Sequence, residues 1–141
     1  MNKESYESLL ERDGIFVYTN TGNSMMPLIR PRGDLIIIKR CNAPLKKYDV
    51  PLYKRKSGQY VLHRIIKIKK EGYVIRGDNC TYLERKISDS QIIGVLESVV
   101  RGNKEIKMDS ILQRLYASFW NNLYFLRAPV MKLVFKLKSV R

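Results

Sequence analysis

Three residue types in this sequence could together form an activated-nucleophile site. Ser24 follows the turn-forming residues 21–23, His63 lies in the segment YVLHRIIKI, and Asp78 lies in the turn Gly-Asp-Asn. A serine hydroxyl becomes a nucleophile when an imidazole takes its proton, and a carboxylate can orient that imidazole. Because His63 is the only histidine of the chain, it is the only imidazole base available. The first hypothesis is therefore a serine peptidase.

The residues around Ser24 strengthen this hypothesis. A turn that contains Gly22 and Asn23 can direct backbone N–H groups toward one point, as the stabilisation of an oxyanion requires. Met25, Met26 and Pro27 follow directly and would supply apolar walls for a bound substrate. We therefore predict an oxyanion-stabilising and substrate-binding role for these five neighbours of Ser24.

The other two members of the site have structural alternatives. A histidine on an apolar strand is more often structural than catalytic, and an aspartate in a turn often only caps that turn. Asp49 is a weaker candidate than Asp78 for the third catalytic role, and Asp34, at a strand entry, is interpreted as structural. If His63 is the base, activity should fall as the pH drops through about 6.5, the usual pKa of the side chain.

The composition predicts one small basic domain. The chain has 141 residues and a formal net charge of +14. Residues 30–76 contain fourteen basic and three acidic residues, and residues 101–141 contain nine basic and two acidic ones. Such a field attracts phosphates, anionic lipids or acidic peptides.

No cofactor, metal site or targeting segment is predicted. Cys41 and Cys80 are too few for a disulfide framework, and their spacing matches no metal motif. The first residues lack the apolar run of a signal peptide, and no stretch of about 18 apolar residues is present. We therefore expect a cytoplasmic protein, or one at the inner face of the membrane.

The hydrophobic pattern predicts a mainly β fold. After a short helix over residues 3–12, runs rich in β-branched residues alternate with turns and predict strands over 15–18, 35–38, 50–53, 60–68, 73–76 and 92–101, the last broken by Gly94. Short strands at such spacing are typical of an antiparallel, barrel-like domain. We assign residues 1–103 to this β domain and residues 104–141 to a separate helical segment.

The C-terminal segment has the pattern of a basic amphipathic helix. Apolar residues recur at helical spacing over residues 109–126, Pro129 is expected to interrupt the helix, and lysines alternate with apolar residues after it. Residues 109–141 could contact an anionic membrane surface, pack against the β domain or bind a partner. The rings of Tyr116, Trp120 and Tyr124 favour the membrane interface slightly.

Several segments together resemble the conserved boxes of the type I signal peptidases. These are NSMMP, RGDLIII, YDVPLY, VLHRI, IRGDN and IIGVLESVV, over about residues 15–101. They are most similar to the branch with serine and histidine, and the self-cleaving SOS repressors share the fold. The resemblance implies that Ser24 is the nucleophile, His63 the general base and Asp78 the third member. It also implies cleavage after small side chains and a substrate bound as an added strand, for which residues 15–18 are suited.

The sequence departs from the family pattern at four points. Gly22 stands where bacterial relatives often have a serine that helps to hold the oxyanion, so the hole would rest on backbone N–H groups, chiefly that of Ser24. Tyr48 replaces a usual glycine, and Cys80 replaces a common asparagine. The transmembrane anchor of the family is absent, which predicts a substrate other than an ordinary secretory signal.

Two other functions are compatible with the sequence. An inactive relative could act as a basic module for nucleic acid or peptide, with Tyr48, Tyr53 and Tyr60 as stacking residues. Nucleic acid is the less favoured partner because no recognised binding motif is present. A thiol enzyme could instead pair Cys80 with His63, although no local feature lowers the pKa of that thiol.

Overall fold

The computed structural model describes residues 4–42 and 44–140, which form nine strands and three helices. The helices are α1 (Tyr6–Asp13), α2 (Ile111–Asn122) and α3 (Tyr124–Ser139). The strands are β1 (Ile15–Thr19), β2 (Asp34–Lys39), β3 (Pro51–Lys54), β4 (Tyr60–Leu62), β5 (Arg64–Lys69), β6 (Gly72–Arg76), β7 (Glu84–Ile87), β8 (Ile92–Arg101) and β9 (Lys104–Lys107). No helix among these residues is long and apolar enough to span a bilayer.

The strands form two antiparallel sheets. The larger sheet has the order β1-β2-β8-β3-β4, with β9 paired to β8, and the smaller one has the order β5-β6-β7. The larger sheet curls into a half-barrel, so the mainly β expectation is confirmed. Strands β1 and β4 are the two free edges at the ends of this strand order, and β9 is a further edge strand beside β8.

Helix α1 is capped at both ends by local residues, Ser5 and Gly14. The Ser5 side chain caps its N-terminus by accepting a hydrogen bond from Ser8 N–H, and Gly14 ends it in the left-handed region with φ of 73°. Its buried Leu10 joins a core formed by the larger sheet and by the segment after Ser24. A second core lies between the two sheets and includes Tyr53 and Ile75, both fully buried.

His63 interrupts the strand that was predicted over residues 60–68. The pairing of β3 with β4 ends at Leu62, and the pairing of β5 with β6 begins at Arg64. The chain leaves the larger sheet for the smaller one at His63, which therefore makes no ladder pair. Apolar alternation continues through this crossing, so the hydrophobic pattern does not indicate it.

Two predicted breaks are wrong. Strand β8 runs through Gly94, where a Cβ atom would lie 2.8 Å from the side chains of Ile38 and Leu10. The glycine is thus a point of close packing rather than a break. Helix α3 runs through Pro129, and the helical segment is divided at Leu123 instead. Residues around Pro129 are largely exposed, where water can satisfy the carbonyl that loses its partner.

The predicted division at residue 103 falls in the turn between β8 and β9. Because β9 pairs with β8, the sheet continues to Lys107 before the helices begin.

A buried ion pair joins the two central strands to the segment after Ser24. Asp34, only 1% exposed, accepts hydrogen bonds from Arg101 at 3.0 and 2.6 Å and from Arg30 N–H at 2.8 Å. Arg101 also donates to Leu28 O at 3.0 Å. The Arg101 guanidinium holds the pKa of Asp34 below its usual range. This agrees with the structural role expected for Asp34.

We predict that Asp34→Ala lowers the free energy of unfolding by about 2–4 kcal/mol, since it removes the partner of a partly buried arginine and of a buried N–H group. Chemical denaturation measures the change. Asp13→Ala is the matched control, because the Asp13–Arg12 pair is solvent-exposed and should contribute nothing measurable. Equal losses in the two variants would contradict the assignment.

Candidate active site

The loop that carries Ser24 is built by its own polar groups. The Asn20 side chain donates to Gly22 O at 2.9 Å and accepts from Gly22 N–H at 3.3 Å, which closes the turn before the serine. After it, Met26 N–H donates to Asn23 O at 3.2 Å. Met25, 1% exposed, anchors the loop in the core. Ser24 is thereby held half-buried on a fixed turn.

The Gly77–Asp78–Asn79 turn holds this loop from the other side. Asn79 donates its backbone N–H to Ser24 O at 2.8 Å and its side-chain amide to Asn23 O at 3.1 Å. Asp78 N–H contacts the Met25 sulfur at 3.4 Å. The two turns that the sequence singled out are thus directly bonded to each other.

Ser24 and His63 meet over Gly77. A Cβ atom at Gly77 would lie 2.7 Å from Ser24 O and 3.0 Å from His63 Nε2. Both atoms therefore approach the same point, and only a glycine leaves them room. The backbone of Ser24 and the imidazole of His63 are therefore neighbours at Gly77, while among the described residues no hydrogen bond joins the Ser24 hydroxyl to the imidazole.

Ser24 and His63 also line the same cleft, of about 460 Å³. The cleft lies between the two free edges of the half-barrel. Its walls come from the serine loop and from the facing ends of β1 and β4, and include Tyr18, Thr19, Thr21, Gly22, Tyr60, Val61 and Leu62. Tyr6 of α1 also lines it, stacks on Tyr18 with ring centroids 5.8 Å apart and meets Tyr60 edge to face at 4.8 Å.

His63 is buried with one unpartnered nitrogen. The residue is 2% exposed, and its Nδ1 forms no hydrogen bond among the described residues. The Glu84 carboxylate lies 3.9 Å from Nδ1, too far for a hydrogen bond. Arg55 in turn holds Glu84, through Nε at 3.1 Å and through a second guanidinium nitrogen.

Burial lowers the pKa of His63 to about 4, while the Glu84 charge opposes the shift. The imidazole is therefore neutral at physiological pH, as a general base must be. The acidic limb of activity should then lie well below the value of about 6.5 expected from the sequence.

The Asp78 carboxylate is committed to groups other than His63. Arg64 donates to both of its oxygens at 2.8 Å, and the Tyr116 hydroxyl donates at 3.0 Å. Asp78 is 1% exposed, and no hydrogen bond joins it to His63 in the part of the chain described. The imidazole is therefore not oriented by Asp78 in the way predicted, because a buried arginine takes both carboxylate oxygens.

The rival Asp49 is not in contact with the imidazole either. Its carboxylate caps a turn by accepting a hydrogen bond from Lys46 N–H at 2.8 Å, and its carbonyl accepts from Ile65 N–H at 2.9 Å. Beside it, Tyr48 adopts a left-handed φ of 76°, a conformation that suits the glycine expected at this position from the family pattern.

Of the five predicted neighbours of Ser24, only Gly22 lines the cleft. Met25 is a core residue, and Met26 and Pro27 face solvent. Asn23 serves as an acceptor for the Asn79 side chain. The apolar walls predicted for the methionines and the proline are therefore formed by tyrosines of α1, β1 and β4.

Cys80 lies close to the site but is poorly suited to act as a nucleophile. Its sulfur is 2.7 Å from the point above Gly77, yet the residue is 8% exposed and does not line the cleft. Burial raises the pKa of its thiol. The thiol form therefore prevails at neutral pH.

Two residues of the site were not identified from the sequence, namely Glu84, the carboxylate near the His63 imidazole, and Arg64, the partner of the Asp78 carboxylate. Glu84 begins β7, a strand that was not predicted, and only the pairing of β7 with β6 brings it near His63. Arg64 follows His63 directly in the sequence, and this adjacency was the one available signal for its role.

A curled antiparallel half-barrel with a serine loop and a histidine at its open cleft defines a peptidase-like class of fold. A comparison with known families matches residues 3–97 to the Peptidase S24-like family, and the chain belongs to that family. No curated protein matches the chain.

We predict that stability falls on mild acidification because of His63. The unfolded state binds a proton near pH 6.5 and the folded state only near 4, so the unfolded state is favoured as the pH falls between these values. The free energy of unfolding should drop by about 2 kcal/mol from pH 7 to pH 5. Denaturation of wild type and His63→Gln at both values measures it. If the free energy of unfolding changed equally between pH 7 and pH 5 in the two proteins, the lowered pKa of His63 would be contradicted.

Proposed function

We propose that this protein is a serine endopeptidase in which Ser24 is the nucleophile and His63 is the general base. The observation that carries the proposal is the approach of the Ser24 loop and His63 Nε2 to one point above Gly77, at the wall of an open cleft. Membership of the Peptidase S24-like family supports the same chemistry. The resemblance of the sequence boxes to the signal peptidases that use serine and histidine also supports it.

In the proposed reaction, the Ser24 hydroxyl attacks the carbonyl carbon of the scissile peptide bond and passes its proton to His63 Nε2. The resulting oxyanion accepts hydrogen bonds from backbone N–H groups. That of Ser24 is the main candidate, because it has no partner among the described residues, whereas Gly22 N–H already donates to Asn20. The imidazolium then protonates the leaving amine, and an ester forms on Ser24.

Hydrolysis completes the cycle. The neutral imidazole takes a proton from water, the resulting hydroxide attacks the ester, and the proton returns to the Ser24 oxygen as the carboxylate product leaves. The low pKa of His63 keeps it neutral before each step, although it also makes the imidazolium costly. An anionic neighbour is therefore needed while the proton is on the ring.

We assign that role to Glu84 and a structural one to Asp78. Glu84 is the carboxylate nearest to Nδ1, its charge favours protonated His63, and Arg55 lowers its pKa so that it remains ionised. Burial raises the pKa of Glu84, but Arg55 and the other neighbours of the carboxylate together lower it by more. Asp78 instead fixes Arg64 and the turn beneath Ser24.

The cleft suits a peptide in an extended conformation. Strands β1 and β4 are both free edges, and each offers unpaired backbone groups to an added strand. The tyrosine-lined wall provides apolar contact below such a peptide. The family resemblance implies cleavage after small side chains.

The first test is labelling by a fluorophosphonate probe, which reacts with activated serines whatever the natural substrate, together with cleavage of a diverse peptide library read by mass spectrometry. Wild type should be labelled at Ser24 and should cleave. Ser24→Ala should abolish both signals, and His63→Ala should slow them by about 10⁴-fold, as triad losses do.

Cys80→Ala and Ser57→Ala are the controls and should remain active, since Cys80 is buried outside the cleft lining and Ser57 is exposed on a turn and does not line the cleft. Loss of cleavage in Cys80→Ala alone would indicate a thiol enzyme. If wild type were neither labelled nor able to cleave, the peptidase proposal would be wrong and the protein would be an inactive relative that acts as a binding module. The stacking surface for that function is not apparent, as Tyr53 is buried and Tyr60 donates to Glu7.

A second prediction concerns Glu84→Gln, which keeps the side-chain shape and removes its charge. We expect kcat/KM to fall about tenfold or more and the pKa of His63 to fall further, because Glu84 raises it. The single histidine gives one imidazole signal for titration by NMR. Glu97→Gln, an exposed acid paired with Lys39, is the control. An unchanged His63 pKa in Glu84→Gln would restrict Glu84 to a structural role.

A further inference from the structure

The C-terminal helices dock on the β domain through a polar, aromatic face. Trp120 Nε1 donates to Asp78 O at 2.8 Å, and Arg127 donates to the same carbonyl at 3.0 Å. Tyr124 donates to Thr81 O at 2.8 Å. The rings that the sequence suggested for a membrane interface are thus used to hold the helices beside the site.

The opposite face of these helices is exposed and apolar. Among the described residues, nineteen large hydrophobic side chains are exposed, and twelve of them lie in residues 111–140, so the exposed apolar surface is concentrated on the C-terminal helical segment. On α2, Leu115 is 62% and Phe119 67% exposed; on α3, Leu126 is 60% and Leu133 56% exposed. We call this surface the outer helical face. Concentrated apolar surface of this kind is uncommon without a binding partner.

The charge of the same segment indicates what covers it. Residues 110–141 contain no aspartate or glutamate, and they contain six basic residues. Lys132, Lys136 and Lys138 are exposed among the apolar residues of α3. Apolar side chains interspersed with unopposed lysines complement a surface that offers acyl chains beneath anionic head groups.

We propose that the outer helical face binds the surface of an anionic lipid bilayer. A second copy of the chain is a poorer occupant, since pairing two such faces would bring two wholly basic segments together. The proposal does not depend on peptidase activity. It implies that the helices hold the candidate cleft at a fixed orientation near the membrane, because their inner face is bonded to the Asp78 turn.

The test is co-sedimentation of the full-length Ser24→Ala protein with large vesicles of phosphatidylcholine, alone or mixed with phosphatidylglycerol. We expect binding to the mixed vesicles, weak binding to the neutral ones, and a loss of binding at high salt. Combined Leu115→Ser, Phe119→Ser and Leu133→Ser should lower the partition coefficient about tenfold or more, and so should combined Lys132→Glu, Lys136→Glu and Lys138→Glu.

The matched control carries Val17→Ser, Leu35→Ser and Ile68→Ser, three exposed apolar residues of the β domain, and should bind as the parent does. Equal weakening in this control would show non-specific adhesion and overturn the proposal. So would the absence of vesicle binding. Self-association in sedimentation velocity that the helical serine variant abolishes, without vesicle binding, would assign the face to a second copy instead.

Discussion

The buried carboxylate of Asp78 is the interaction on which the arrangement of the site depends. It accepts two hydrogen bonds from Arg64, the residue after His63, and a third from Tyr116 of the C-terminal helix. Burying such a charge is costly unless every oxygen is paired. Here the pairing is complete, so the ion pair joins the histidine segment, the turn beneath Ser24 and the helices in one place.

The catalytic possibilities follow from this framework. With Asp78 occupied, His63 is buried with an Nδ1 that forms no hydrogen bond among the described residues, and desolvation keeps it neutral. A neutral imidazole is a competent base, but it gains little stabilisation once protonated. Glu84, held by Arg55 at a short distance, is positioned to offset that cost. In the proposed mechanism, structural support therefore falls to Asp78 and charge stabilisation to Glu84.

The C-terminal helices link the site to the surroundings of the protein. Their inner face forms hydrogen bonds with the Asp78 turn, whereas their outer face is apolar and basic. Burying the exposed apolar side chains of such a helix against a second surface is favourable. The same segment therefore contributes both to the rigidity of the candidate site and to the proposed membrane contact.

The sequence by itself determined the mainly β class, the serine turn, the choice of His63 and the approximate bounds of most strands, because alternation of apolar residues and turn chemistry are local signals. It could not determine which carboxylate faces the imidazole. That choice depends on the crossing of the chain between two sheets at His63 and on the position of β7, which places Glu84 beside Nδ1 and leaves Asp78 to Arg64. The tertiary structure alone decided it, since the two contacts concerned, Arg64 with Asp78 and His63 with Glu84, form only when separate strands and turns of the smaller sheet come together.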